Sequence, residues 1–116
     1  MEDQFQKALE FANHKQTFSI QRKTLKEKIN AKLTYGYNGG IFKIDRNLIS
    51  FMQMLVDQGR LEGVAVIDDN ENPILIDNVT EFRDEIMDRY FSSSIEYLNA
   101  YNQLKKTRTV EKLLDL

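Results

Sequence analysis

Residues 78–104 read NVTEFRDEIMDRYFSSSIEYLNAYNQL. No Pro or Gly interrupts them, and two apolar series run through them at helical spacing. Phe82, Ile86, Tyr90, Tyr97, Tyr101 and Leu104 form one, and Met87, Phe91 and Leu98 form the other. The two lie about 100° apart on a helix, which predicts a broad apolar face from Phe82 to Leu104 that carries the core. Asn78 reads as the N-cap, and Glu81 stands where a capping box places its acidic partner. The helix is expected to run from Val79 to Leu114. Beyond Leu104 the stretch Lys105-Lys106-Thr107-Arg108-Thr109 carries nothing apolar, and Val110, Leu113 and Leu114 form a separate terminal patch.

A second long stretch without Pro or Gly runs from about Asp3 to Thr34. Phe5, Ala8, Leu9 and Ala12 recur at helical spacing, and Phe11, Phe18 and Leu25 stand seven apart. Ile29 and Leu33 extend the stripe, which is narrow across the polar residues 14–17. A narrow stripe suits a helix packed against one partner rather than sunk into a core. At 1.5 Å per residue such a helix is a rod of roughly 45 Å, long beside the ~13–14 Å radius of gyration of a compact domain of this size.

Between the long stretches, Tyr35-Gly36-Tyr37-Asn38-Gly39-Gly40 reads as the turn that ends the first helix, and residues 41–44 as a short strand. Asp45 is a good N-cap for a helix from Arg46 to about Gln58, with Gly59 as its stop. Residues 63–67 and 74–76 read as two strands joined by a turn over Asp68 to Pro73. The expected fold is α+β and mostly helical, a single domain over residues 1–116. Two long antiparallel helices bracket a small antiparallel β-hairpin of two or three strands with one short helix, in the order α-β-α-β-β-α.

The antiparallel arrangement is argued from charge. Residues 13–33 carry Lys15, Arg22, Lys23, Lys26, Lys28 and Lys32 against Glu27, and residues 1–12 carry Glu2, Asp3 and Glu10 against Lys7. Residues 81–97 carry Glu81, Asp84, Glu85, Asp88 and Glu96 against Arg83 and Arg89, and residues 98–112 carry Lys105, Lys106, Arg108 and Lys112 against Glu111. An antiparallel pair sets each basic segment beside an acidic one, whereas a parallel pair sets like beside like. Exposed ion pairs contribute only ~0–1 kcal/mol each, but like-charge juxtaposition penalises the wrong packing.

Composition narrows the function classes. The net charge of −2 gives no global field to attract nucleic acid or anionic membrane. With no Cys, disulfides and thiolate metal sites are excluded. The acidic start, Met1-Glu2-Asp3-Gln4, lacks the basic-then-apolar order of a signal peptide, and no apolar run approaches the ~20 residues of a membrane span. A soluble cytoplasmic protein is expected.

No catalytic constellation can be named, so the expectation is a non-enzymatic chain with no cofactor, no metal and no small-molecule substrate. Asp68-Asp69-Asn70-Glu71-Asn72 resembles the opening of a calcium loop, but Pro73 stands where Gly is needed and Val79 where Glu is needed. The expected role for this stretch is a turn with side-chain-to-backbone bonds. Gly36 to Gly40 lacks the Lys-Ser/Thr ending of a phosphate-binding loop, and His14 has no spaced carboxylate or second ligand beside it. Tyr97, Tyr101, Leu104, Val110, Leu113 and Leu114 are the candidate interface residues, since aromatic anchors and an unclaimed apolar patch suit helix-mediated assembly with further copies or a protein partner. The alternative is a nucleic-acid accessory protein that uses segments 22–32 and 105–112, with Arg22, Lys23, Lys26, Lys105, Lys106 and Arg108 as phosphate contacts.

In outline, the order long helix, β-hairpin, long helix resembles prefoldin-type chaperone subunits, with the helix from Arg46 to Gln58 as an addition. Tyr37-Asn38-Gly39-Gly40-Ile41-Phe42, Ile67 to Ile74 and Tyr97-Leu98-Asn99-Ala100-Tyr101 resemble stretches of small proteins of large contractile-tail bacteriophages, including cyanophages. That resemblance implies a virion component or assembly factor, located in the virion or the host cytoplasm.

Overall fold

The computed structural model describes the backbone of residues 2–114 and the side chains of residues 3–107. Seven elements follow in order: α1 (Glu2–Lys32), β1 (Thr34–Tyr37), β2 (Gly40–Lys43), α2 (Arg46–Asp57), β3 (Val64–Ile67), β4 (Pro73–Ile76) and α3 (Val79–Leu114). The fold is α+β and mostly helical, as expected. The chain forms two compact units, Asn30–Ser94 and Met1–Ile29 with Ile95–Leu116.

The first, the core unit, holds two separate antiparallel hairpins, β1–β2 and β3–β4, rather than one hairpin with an extra strand. The correction lies at Thr34–Tyr37, expected to be part of a helix end and turn but forming a strand. Tyr37 pairs with Gly40 across a two-residue connection, Asn38-Gly39. Both connecting residues have positive φ, 46° and 81°, as the tight turn that matches strand twist requires. Asn tolerates that geometry and Gly has no Cβ to oppose it. Tyr35 thereby faces Phe42, and Thr34 faces Lys43.

The second hairpin runs as read from the sequence, with Val64 opposite Ile76 and Ile67 opposite Pro73. Pro73 opens its strand, a position where the missing N–H costs no ladder bond. α2 also follows expectation: Asp45 accepts a hydrogen bond from Leu48 N at 2.8 Å, and the Gly59 N–H donates to Val56 O. At the start of α3, Asn78 Oδ1 accepts from Glu81 N at 3.0 Å, so this N-cap is also in place.

Alternation on the strands and the α2 stripe converge on one core: Phe42, Ile44, Met52, Leu55, Val66, Ile74, Ile76, Val79, Phe82 and Ile86. Phe82 is its aromatic centre, with ring centroids of Tyr35, Tyr37 and Phe42 at 5.4, 5.2 and 5.2 Å. Edge-on and tilted geometries of this kind add to the area term. Asp68 ties the two hairpins together. Its carboxylate accepts from Asn70 N and Asn72 N within its own turn and from Ile41 N on β2, at 3.0, 2.8 and 2.9 Å. The Asp69 N–H returns a bond to Ile41 O at 2.9 Å.

The second unit consists of the N-terminal part of α1 and the C-terminal part of α3. Here Phe18 meets Tyr101 edge-on at 6.1 Å, and the Lys26 ammonium lies 5.1 Å from the Tyr97 ring centre. Rising numbers on α1 meet falling numbers on α3, so the pairing is antiparallel, as the charge pattern predicts.

One expectation about α3 is overturned. The series Phe82, Ile86 and Tyr90 is buried or half-buried, but Phe91 and Leu98 of the second series are exposed. The second series therefore does not carry the core. Periodicity gives the width of an apolar face, not whether anything covers it.

Candidate interaction surface

Along α1, at about 100° per residue, Phe18, Leu25 and Ile29 share one narrow sector. Phe18 and Leu25 are half-buried and Ile29 is buried, whereas Phe11 in the same sector is exposed, so this sector faces inward from Phe18 onward. Phe5, Leu9, Ala12, Gln16 and Ile20 fall in a second sector about half a turn away. All five are exposed, with Phe5 at 68%, Leu9 at 49% and Ile20 at 57%. Among the described residues α1 thus has two apolar sectors on opposite sides, and the one with Phe18, Leu25 and Ile29 is the one that buries side chains within the unit.

The C-terminal part of α3 repeats this arrangement. Tyr97, Ala100, Tyr101 and Leu104 are half-buried on one side. Ile95 and Leu98 are exposed on another, at 57% and 49%. Two helices lying side by side form a single layer, and a single layer cannot enclose apolar side chains on both of its faces. Scattered exposed apolar residues need no explanation, but a stripe at helical spacing does.

The residues expected at an interface are distributed accordingly. Tyr97 and Tyr101 are engaged within the chain: their rings stack on each other at 6.2 Å and face Lys26 and Phe18. Leu104 is half-buried on the same side. Val110, Leu113 and Leu114 lie outside the described side chains. Sequence reasoning missed the outer face of α1. Its signal was the helical spacing of Phe5, Leu9 and Ala12, which the same reading had merged with the stripe through Phe11, Phe18 and Leu25.

The expected phosphate contacts are divided between α1 and α3. The Arg22 guanidinium lies 5.8 Å from the Phe18 ring centre and Lys26 lies over Tyr97, so both cations rest on aromatic faces beside the seam. Lys23 falls in the outer sector of α1 with Ile20. Lys105 and Lys106 are exposed, and Arg108 lies outside the described side chains. By sequence, the two-helix unit carries ten basic against seven acidic residues, and the core unit carries six basic against eleven acidic residues.

In the core unit the Asp68 carboxyl is held below the usual carboxylate range, chiefly by the hydrogen bond from Ile41 N and then by that from Asn72 N. Three backbone N–H groups thus occupy the side chain that opens the calcium-like stretch. Arg89 stacks over the Tyr35 ring at 4.6 Å, while burial and the nearby Glu85 carboxylate push the Tyr35 hydroxyl up. Among the described residues, no group of three or more His, Cys, Asp or Glu side chains could hold a metal ion. An open groove of about 530 Å³ runs between α2 and the start of α3, lined by Ile49, Met54 and Met87 with Gln53 and Asp57. Its polar groups do not converge: Gln53 Nε2 donates to Asp57 at 2.9 Å, and Gln53 Oε1 accepts from Arg83 at 3.2 Å. Among the described residues, no helix is long and apolar enough to cross a membrane. No family model, no curated protein and no solved structure matches the chain.

Proposed function

We propose that this chain is a non-enzymatic assembly protein that associates with further copies of itself through its long helices. The observation that carries this reading is the second apolar face of α1, Phe5-Leu9-Ala12-Ile20, exposed on the side opposite Phe18, Leu25 and Ile29. Helices gain most of their stability from packing an amphipathic face, and helices with an apolar face left over are completed by oligomers. A virion component or assembly factor of a contractile-tail phage is the setting we propose, on the resemblance of residues 37–42, 67–74 and 97–101. Light scattering on the purified chain tests the reading. A mass that rises with concentration above 13.6 kDa is expected, and a 13.6 kDa particle at every concentration overturns it.

One observation favours a second reading, the accessory protein of nucleic acid: the basic excess is concentrated in the two-helix unit. Counterion release makes phosphate binding fall steeply with salt. Titration of labelled single- and double-stranded oligonucleotides at low and high salt separates the two readings. Salt-sensitive binding supports the nucleic-acid reading, and no binding at low salt removes it.

A further inference from the structure

We infer that the outer face of α1 is a self-complementary, two-fold interface on which a second copy of α1 lies antiparallel. The inference rests on the assembly reading and specifies the surface that does the assembling. The outer stripe is closed at its ends by the apolar side chains Phe5 and Ile20, with Leu9 and Gln16 next inside and Ala12 and Asn13 on either side of its midpoint. A two-fold axis at that midpoint sets Phe5 of one copy against Ile20 of the partner subunit, and Leu9 against Gln16 of the partner subunit. It also brings Ala12 close to Ala12 of the partner subunit, where a small side chain permits close backbone approach. Isologous contact of this kind requires a patch that is its own complement.

Charge selects the same direction. On the N-terminal side of the midpoint stand Glu2, Asp3 and Glu10 against Lys7. On the other side, up to residue 23, stand Lys15 and Lys23 with no acidic residue, while Arg22 rests on Phe18 beside the seam. Antiparallel overlap sets the acidic half of each copy beside the basic half of the other, twice. Parallel overlap sets basic beside basic along residues 15–23. Each exposed pair is weak, but the like-charge alternative is penalised. From Phe5 to Ile20 the stripe spans ~22 Å of helix. That is shorter than a standard interface requires, so the association is concentration-dependent rather than permanent.

The absence of Cys makes single-cysteine variants clean probes. Under mild oxidation Ala12→Cys is expected to form a disulfide-linked dimer in high yield. Leu9→Cys alone is expected to cross-link at least tenfold less, because the two copies of position 9 are offset by about seven residues, ~10 Å, along the pair. An equal mixture of Leu9→Cys and Gln16→Cys is expected to recover the cross-link. Self-linking by Leu9→Cys as fast as by Ala12→Cys overturns the antiparallel arrangement. A Leu9→Lys, Ile20→Lys variant gives the second arm. Both sites are exposed, so circular dichroism should match wild type while the dissociation constant rises at least tenfold. If wild type associates and this variant associates equally well, the proposed surface is wrong and the assembly reading stands. If wild type is monomeric at every concentration, both fail.

Discussion

At the scale of single residues, the core unit depends on contacts with little tolerance. Phe82 is buried among Tyr35, Tyr37 and Phe42, so Phe82→Ala removes the shared partner of three rings. A loss of ~3–5 kcal/mol in chemical denaturation is expected. Gly40 is constrained by space: a Cβ there would lie 2.5 Å from Ile74 Cγ1 and 3.3 Å from an Asp68 carboxylate oxygen. Gly40→Ala is expected to cost ~1–3 kcal/mol by overpacking, and the Gly40→Ala, Ile74→Ala double variant is expected to lose less than the sum of the two single losses. Asp68 gives a pH signature. Because its carboxyl is held below the ordinary value of 3.8 in the folded state, it contributes stability above that value. That contribution is lost as pH falls through the lower folded value. Thermal melts between pH 2 and 6 should therefore show a shallower acid limb for Asp68→Asn than for wild type. Asp68→Ala should lower the melting temperature more than Asp69→Ala, because only Asp68 gathers three backbone N–H groups.

At the scale of elements, caps and turns were the most legible features. Asp45 and Asn78 both cap the helices that their residue type and position announce. Asn78→Ala and Asp45→Ala should each cost ~1 kcal/mol in equilibrium unfolding. The turn at Asp68 with its side-chain-to-backbone bonds was also readable, because the calcium-like spacing fails at Pro73 and Val79. The strand at Thr34–Tyr37 was not. Glycine-rich composition at 36–40 marks a chain reversal equally well for a helix stop and for a hairpin. What distinguishes them is the Asn38-Gly39 pair flanked by Tyr37 and Phe42, a two-residue hairpin signal. The α3 face failed for a different reason. The spacing of Phe91 and Leu98 marks them as apolar on one side of a helix, but no local pattern says that nothing in the described chain covers them.

At the scale of the whole molecule, the long antiparallel helices and the central strands and helix were legible, and the candidate site was legible only in part. Tyr97 and Tyr101 were singled out because large aromatic groups at helical spacing need a partner, and the partner proves to be α1 of the same chain. The residues proposed for assembly, Phe5, Leu9, Ala12 and Ile20, are exposed and lie outside the heptad series Phe11, Phe18 and Leu25. Sedimentation equilibrium of the 116-residue chain over a wide concentration series is the most direct test of assembly through this face. The account predicts a mass that rises with concentration from 13.6 kDa toward a multiple of it. It also predicts that the Leu9→Lys, Ile20→Lys variant follows the same curve displaced to at least tenfold higher concentration. A single 13.6 kDa species throughout the wild-type series would contradict it.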